Sequence, residues 1–234
     1  MRTLGFSTGA LAFGNFRQAL EVLRPYGTHA VELSALRQPE LGPLVAASNE
    51  LDLSQFNYVA VHAPSNIDID AEREVVRYLL DLAANGWPTV VHPDAIHDYG
   101  LWREFGNLLC VENMDKRKPI GRTVEELASV FEELPDASLC FDLGHARQVD
   151  ATMTEAYMIA KVYESKLRQV HISEVNTSSR HDRLSFSSIR AFQLVAELIP
   201  ESVPLIIESV IQGWEIPDEL RRVEEALPMA LMVA

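Results

Sequence analysis

A chain of 234 residues, 47% apolar and 23% charged, carries enough material for one sizeable core and has the balance of a globular domain rather than of a fibrous or disordered chain. Its 34 acidic against 20 basic residues give a net charge of −14 with no Lys/Arg-rich run, which disfavours nucleic acid as a partner because backbone binding depends on clustered cations. No apolar stretch approaches the roughly 20 residues of a membrane span, and MRTLGFSTGAL has no leader pattern, so the expectation is a cytoplasmic protein, one domain over 1–234, with no membrane partner.

In chain order, strands are expected at 3–8, 29–34, 57–63, 88–92, 108–113, 138–143, 168–173 and 204–209. They are short runs rich in Val, Ile, Leu and Phe, the composition of strands buried on both faces. After the first, FRQALEVLRPYG spaces its apolar residues for a helix that stops near Pro25 and Gly27. Weaker helical patterns occupy 38–53 and 94–106, on either side of a clear helix in DAEREVVRYLLDLAANG with an acidic first turn and a terminal Gly86. TVEELASVFEELPD opens on a capping box from Thr123 to Glu126. TEAYMIAKVYESK and IRAFQLVAELIPE complete the helices. Strand–helix alternation implies a parallel sheet. Eight units without a glycine-rich nucleotide loop favour an α/β fold of one closed (β/α)8 TIM barrel over an open doubly wound sheet. The apolar ALPMALMVA at the end either closes the barrel bottom or packs on a second copy, so a homo-oligomer stays open.

Six of the runs end in metal-binding side chains: VAVHAP in His62, TVVHPD in His92, LLCVENMD in Glu112, LCFDLGHA in Asp142 and His145, QVHISE in His171 and LIIESV in Glu208. Such ends converge at one mouth of a barrel, where barrel enzymes keep their chemistry. His181, Asp182 and Arg183 follow the seventh strand. A lone strand-end histidine is usually a hydrogen-bonded structural residue. Five of them (His62, His92, His145, His171, His181) beside Glu112, Asp142, Asp182 and Glu208 read instead as a metal centre. Burying four carboxylates without cations would cost several kcal/mol each, and mixed imidazole and carboxylate donors suit Zn, Mn, Fe or Co better than Ca.

Other residues have plainer roles. Cys110 and Cys140, each two residues before a candidate ligand, read as buried reduced thiols. Asn113 either orients substrate or makes a turn, and Pro64 and Pro93 end their strands. Ser7, Glu32 and Ser34 are candidate pocket-lining groups, Trp214 a candidate pocket wall, and Trp87 a residue of the bottom face.

The ordered set H-x-P, V-H-P, E-N, D-x-G-H, H-x-S, H-D-R and a final strand-end Glu, spanning residues 3 to 209, resembles the xylose-isomerase-like TIM-barrel superfamily. That superfamily includes sugar isomerases and epimerases and the endonuclease IV group, AP endonuclease family 2. The isomerase branch implies one divalent ion on Glu112, Asp142, His171 and Glu208. There the two glutamates move protons through a metal-stabilised enediolate, while His145 and an arginine, Arg183 or Arg180, contact a sugar or sugar phosphate. The endonuclease IV branch implies one ion on His62, His92 and Glu112, with Glu112 bridging to a second on Asp142, His171 and Glu208. A third ion would need His145, Asp182 and a histidine where this chain has Leu184, unless His181 substitutes. The leading expectation is therefore a metal-dependent isomerase or epimerase of a small molecule, with one or two ions per chain. A two-metal phosphoester hydrolase is the alternative, and a non-catalytic metal-binding barrel the second alternative.

Overall fold

The computed structural model describes residues 2–228, so residues 229–234 of the apolar tail lie outside the described residues. The strands are β1 (Leu4–Ser7), β2 (Ala30–Ser34), β3 (Tyr58–His62), β4 (Thr89–Val91), β5 (Leu109–Glu112), β6 (Ser138–Asp142), β7 (Leu167–Ile172), β8 (Glu174–Val175), β9 (His181–Asp182) and β10 (Leu205–Ile207). All but β8 and β9 form a closed parallel barrel in the order β1-β2-β3-β4-β5-β6-β7-β10. The ring closes where β1 pairs with β10, Leu4 opposite Leu205. Every strand expected from sequence is present. The antiparallel β8–β9 hairpin is an addition, too short and too charged to show a strand pattern.

The outer layer consists of α1 (Thr8–Ala12), α2 (Phe16–Leu23), α3 (Gln38–Ala47), α4 (Glu72–Ala83), α5 (Tyr99–Trp102), α6 (Val124–Glu133), α7 (Leu143–Val149), α8 (Thr154–Val162), α9 (Phe186–Gln193) and α10 (Ile216–Ala226). Helix α4 shows how they dock: Val75, Val76, Leu79 and Leu82, spaced three and four apart, are buried on its inner face. Burial of each such side chain contributes about 1.5–3 kcal/mol. The expected capping box of α6 is half formed. Thr123 accepts from the Glu126 amide at 3.3 Å, but the Glu126 carboxylate goes to the amide and guanidinium of Arg122. The 94–106 stretch is mostly 3-10 turn around the four-residue α5. Buried Glu72 holds it there, accepting from the His97 amide at 2.6 Å and from Trp102 Nε1 at 2.9 Å.

Side chains alternate along a strand, so residues two apart share a face. Two positions before His92, Glu112, Asp142 and His171 stand Val90, Cys110, Cys140 and Gln169, all fully buried. Val90 and the two free cysteines form their own apolar cluster. This inner layer lies directly under the candidate ligands.

Candidate metal centre

The strands deliver their donors at or near their last residue, His171 being the last but one of β7, because that is where an inward-facing side chain meets the mouth. His62 ends β3, Glu112 ends β5 and Asp142 ends β6, while His92 and Glu208 follow β4 and β10. Asp142 also caps α7, Oδ1 accepting from the His145 amide at 2.6 Å, and so carries His145 over the mouth. The cavity above has a volume of about 350 Å³ and is lined in part by His62, His92, Glu112, His145, His181 and Glu208.

Glu112 is the hub, with its side chain 1% exposed. Its Oε2 lies 3.1 Å from His62 Nε2 and 3.2 Å from His92 Nε2. Its Oε1 lies 3.2 Å from His171 Nδ1 and 3.3 Å from His145 Nδ1. Both oxygens thus face two imidazoles each. Burial alone would raise this carboxyl, but His171, His145 and His62 hold it well below the usual range.

Hydrogen bonds set the histidine tautomers. His62 Nδ1 donates to the Ala63 carbonyl at 2.7 Å, which turns Nε2 toward Glu112. His171 Nε2 donates to Glu32 Oε2 at 2.9 Å, which turns Nδ1 toward Glu112 and Glu208. In neutral rings those inward nitrogens present lone pairs to carboxylate oxygens. Something positive must lie between them, a proton or a cation. With protons alone, burial opposes ionisation of His62 and His145 but nearby carboxylates outweigh it, raising His62 to about 9 and His145 to about 10. Burial pushes Asp142 up to about 6. It also lowers His181, helped by cationic His145, to about 4.

The same donors suit a divalent ion. Among the described residues, four groups have ligand atoms within 4.8 Å of one another: His62, His92, Glu112; Glu112, Asp142, His171, Glu208; Asp142, His145, His181; and Glu32, His62, His171, Glu208. Buried Asp142 Oδ2 accepts no hydrogen bond, an open acceptor beside two imidazoles. Nitrogen donors mixed with carboxylates fit Zn, Mn, Fe or Co, and the Glu32–His171 pair is the outer-shell arrangement that orients a ligating histidine.

Some expected residues lie elsewhere. Asp182 is exposed and accepts from Asn176 Nδ2 at 2.7 Å within the hairpin, away from the cluster. Its neighbour His181 faces inward instead, with Nδ1 2.9 Å from Ser173 Oγ and 3.4 Å from Glu208 Oε2, because adjacent strand residues point to opposite faces. Arg183 turns to α10, where its guanidinium meets Glu215 and Asp218, each at 2.6 Å. Arg180 is exposed. Asn113 is fully buried and grips the backbone of Asp142, donating to its carbonyl at 2.9 Å and accepting from its amide at 2.7 Å. It is a brace between β5 and β6, away from the cavity surface. Trp214 is 76% exposed and does not line the cavity.

Other residues emerge only in three dimensions. Gln169 Nε2 donates to Glu32 at 2.8 Å while Tyr58 OH donates to Gln169 Oε1 at 2.6 Å. Lys118, whose Nζ meets Asp94 at 2.8 Å, is the one Lys or Arg among the lining residues. Phe13 joins them from the turn after α1. Glu32, expected to line the pocket with Ser7 and Ser34, is instead fully buried within β2 behind His171; nothing local in sequence marks Gln169, Lys118 or Phe13.

No family model and no curated protein matches the chain. Solved structures do match. A xylose isomerase domain protein from Alicyclobacillus acidocaldarius superposes with a TM-score of 0.64 at 13% identity, over 96% of this chain and 98% of that one. Endonuclease IV from Thermus thermophilus gives 0.60 at 19% identity, over 96% and 100%. The 3-keto-D-glucoside 4-epimerase of E. coli gives 0.59 at 14%, over 94% and 98%. The chain has the xylose-isomerase-like TIM-barrel fold. At these identities the likeness is one of fold, and the reactions belong to those proteins.

Proposed function

We propose that this barrel is a metal-dependent enzyme whose centre takes more than one divalent ion, and that it hydrolyses phosphoesters of small molecules. The carrying observation is the geometry of Glu112, whose two oxygens each face two imidazoles while its side chain is 1% exposed. That suits a carboxylate shared between neighbouring ions. A Glu112 shared in that way would have no oxygen left over to take a substrate proton. This reading departs from the expectation that Glu112 and Glu208 move protons as a pair.

His62 and His92 with Glu112 would hold one ion, and Glu112 with Asp142, His171 and Glu208 a second. The group of Asp142, His145 and His181 offers a further position. Bound ions would activate a water near neutral pH and offset phosphoryl charge. The chain's own residues keep His62 and His171 in the ligating tautomer, hold Asp142 through Asn113, and place the Lys118 side chain on the cavity wall. The cavity of about 350 Å³ and the net charge of −14 support a small substrate over a nucleic-acid duplex. Neighbouring folds that include endonuclease IV support the phosphoester class.

One observation favours a second reading, a sugar or sugar-phosphate isomerase or epimerase. Glu208 lines the cavity with its side chain 13% exposed and its carboxyl raised by burial, as a proton-moving group requires. Metal stoichiometry by inductively coupled plasma mass spectrometry, on protein purified without added metal or chelator, separates the two. More than one ion per chain, with one lost in His92→Ala, and turnover of p-nitrophenyl phosphate support the hydrolase. A single ion indifferent to His92→Ala, with solvent deuterium entering beside a substrate carbonyl, transfers the assignment to the isomerase.

A further inference from the structure

Phe13 combines two features that stability does not explain. Its side chain is 67% exposed, and its backbone sits in the left-handed region at φ 48°, ψ 47°. An aromatic residue there costs of order 1–3 kcal/mol and persists only where its surroundings impose it. They do so here. The Phe13 amide bonds the Gly9 carbonyl at 3.0 Å, ending α1, and Asn15 caps α2 by accepting from the Gln18 amide at 3.1 Å. Between them Gly14, at φ 93°, passes so close to Glu40 that a Cβ would come within 2.7 Å of its carboxylate. These contacts hold the turn, and Phe13 stands exposed on it.

The ring lies at the cavity. Helix α1 begins at Thr8, directly after β1 ends at the mouth, and its five residues rise by about 7 Å at 1.5 Å each. Phe13 lines the cavity together with Ala10, Leu36, Met114 and Val210, which form an apolar surface beside the histidines and carboxylates of the floor. Val210 is itself 44% exposed. A cavity lined by both apolar and ionic side chains matches a ligand with a charged end and an apolar ring.

We infer that Phe13 is a specificity-determining residue, and that the substrates of this site are small phosphoesters whose non-phosphate part carries a planar or apolar ring that stacks on it. The inference rests on the phosphoester reading above. A ring stacked on an exposed aromatic gains about tenfold in affinity, and an acyclic alkyl group of similar charge gains little.

The test uses full-length, metal-loaded protein and two non-hydrolysable probes, phenylphosphonate and methylphosphonate, with binding read by calorimetry. Wild-type protein binds phenylphosphonate more tightly. Phe13→Ala reduces the phenyl-to-methyl affinity ratio about tenfold, and Phe13→Leu reduces it by less. Ile69→Ala, which removes another exposed apolar side chain outside the cavity lining, leaves the ratio as it is. Circular dichroism and metal content check that the variants are folded and loaded. If both probes bind and Phe13→Ala does not alter the ratio, the role of Phe13 is refuted while the phosphoester reading stands. If neither probe binds the loaded protein, the phosphoester reading fails and this inference with it.

Discussion

Glu32 Oε2 accepts from His171 Nε2 at 2.9 Å, and both side chains are fully buried. One hydrogen bond thereby decides which nitrogen of His171 faces Glu112 and Glu208. Outer-shell carboxylates of this kind are worth about 10- to 100-fold in metal affinity. Glu32→Gln should therefore weaken metal binding at least tenfold in a chelator competition, without unfolding the metal-free protein. Unchanged affinity would mean that His171 is oriented by packing alone.

Asn113 ties β5 to β6 through both backbone groups of Asp142. Asn113→Ala leaves a buried amide and a buried carbonyl without partners, at about 1–3 kcal/mol for each group. Denaturant unfolding should show a loss of about 3 kcal/mol with or without metal. A substrate-binding asparagine would instead raise KM and leave stability alone.

Arg183 is predicted to matter for the last helix and to be dispensable for the site. Its partners Glu215 and Asp218 are at 2.6 Å, yet its own side chain is 31% exposed, so solvent screening limits the pair. Arg183→Ala should cost about 1 kcal/mol, with metal content and turnover as in the wild type. A large rise in KM would return Arg183 to the substrate-contacting role that the sequence pattern suggested.

The stability of the metal-free protein and the increment that metal adds to it should respond to pH in opposite senses. Burial opposes charge on His62 and His145, but Glu112 acting on His62 and Asp142 acting on His145 outweigh it, and their folded values of about 9 and about 10 exceed the unfolded value. Their protonation stabilises the metal-free fold fully below about pH 6.5, and that contribution is lost as pH rises toward about 10. Metal binding needs the rings neutral and strengthens as pH rises. Thermal melts between about pH 6.5 and 9 should show Tm falling for chelated protein and its metal-induced increment growing. An increment that shrinks with rising pH would rule out imidazole ligation.

Much of this was readable from the residues, for identifiable reasons. A strand buried on both faces must be an apolar run, and a polar side chain at the end of that run must face the mouth. The donor at His62 and the one at Glu208 could both be read by that rule, although they are far apart in sequence. The rule fails beyond β7. There the chain makes a two-residue strand at His181–Asp182, in which only one of two adjacent polar residues can face inward. The family resemblance implies Asp182, with His181 only as a substitute; the pleat selects His181. Helix α7 was overlooked because Asp142 does two jobs, ligand candidate and helix cap, and only the first was visible as a motif. Gln169 has no pattern of its own. Its importance comes from reaching Tyr58, Glu32 and Cys140 across the barrel interior.

That interior layer has a directional consequence. Val90, Cys110, Cys140 and Gln169 are fully inaccessible to solvent, and Gln169 is latched to Tyr58 on β3 and to Glu32 on β2. The barrel is stoppered from beneath. Among the described residues, a molecule that reaches the candidate ligands, water included, would therefore come from the rim side, through the cavity that His62, His92 and Glu208 line. Arrival of one molecule and departure of another would then compete for the same opening.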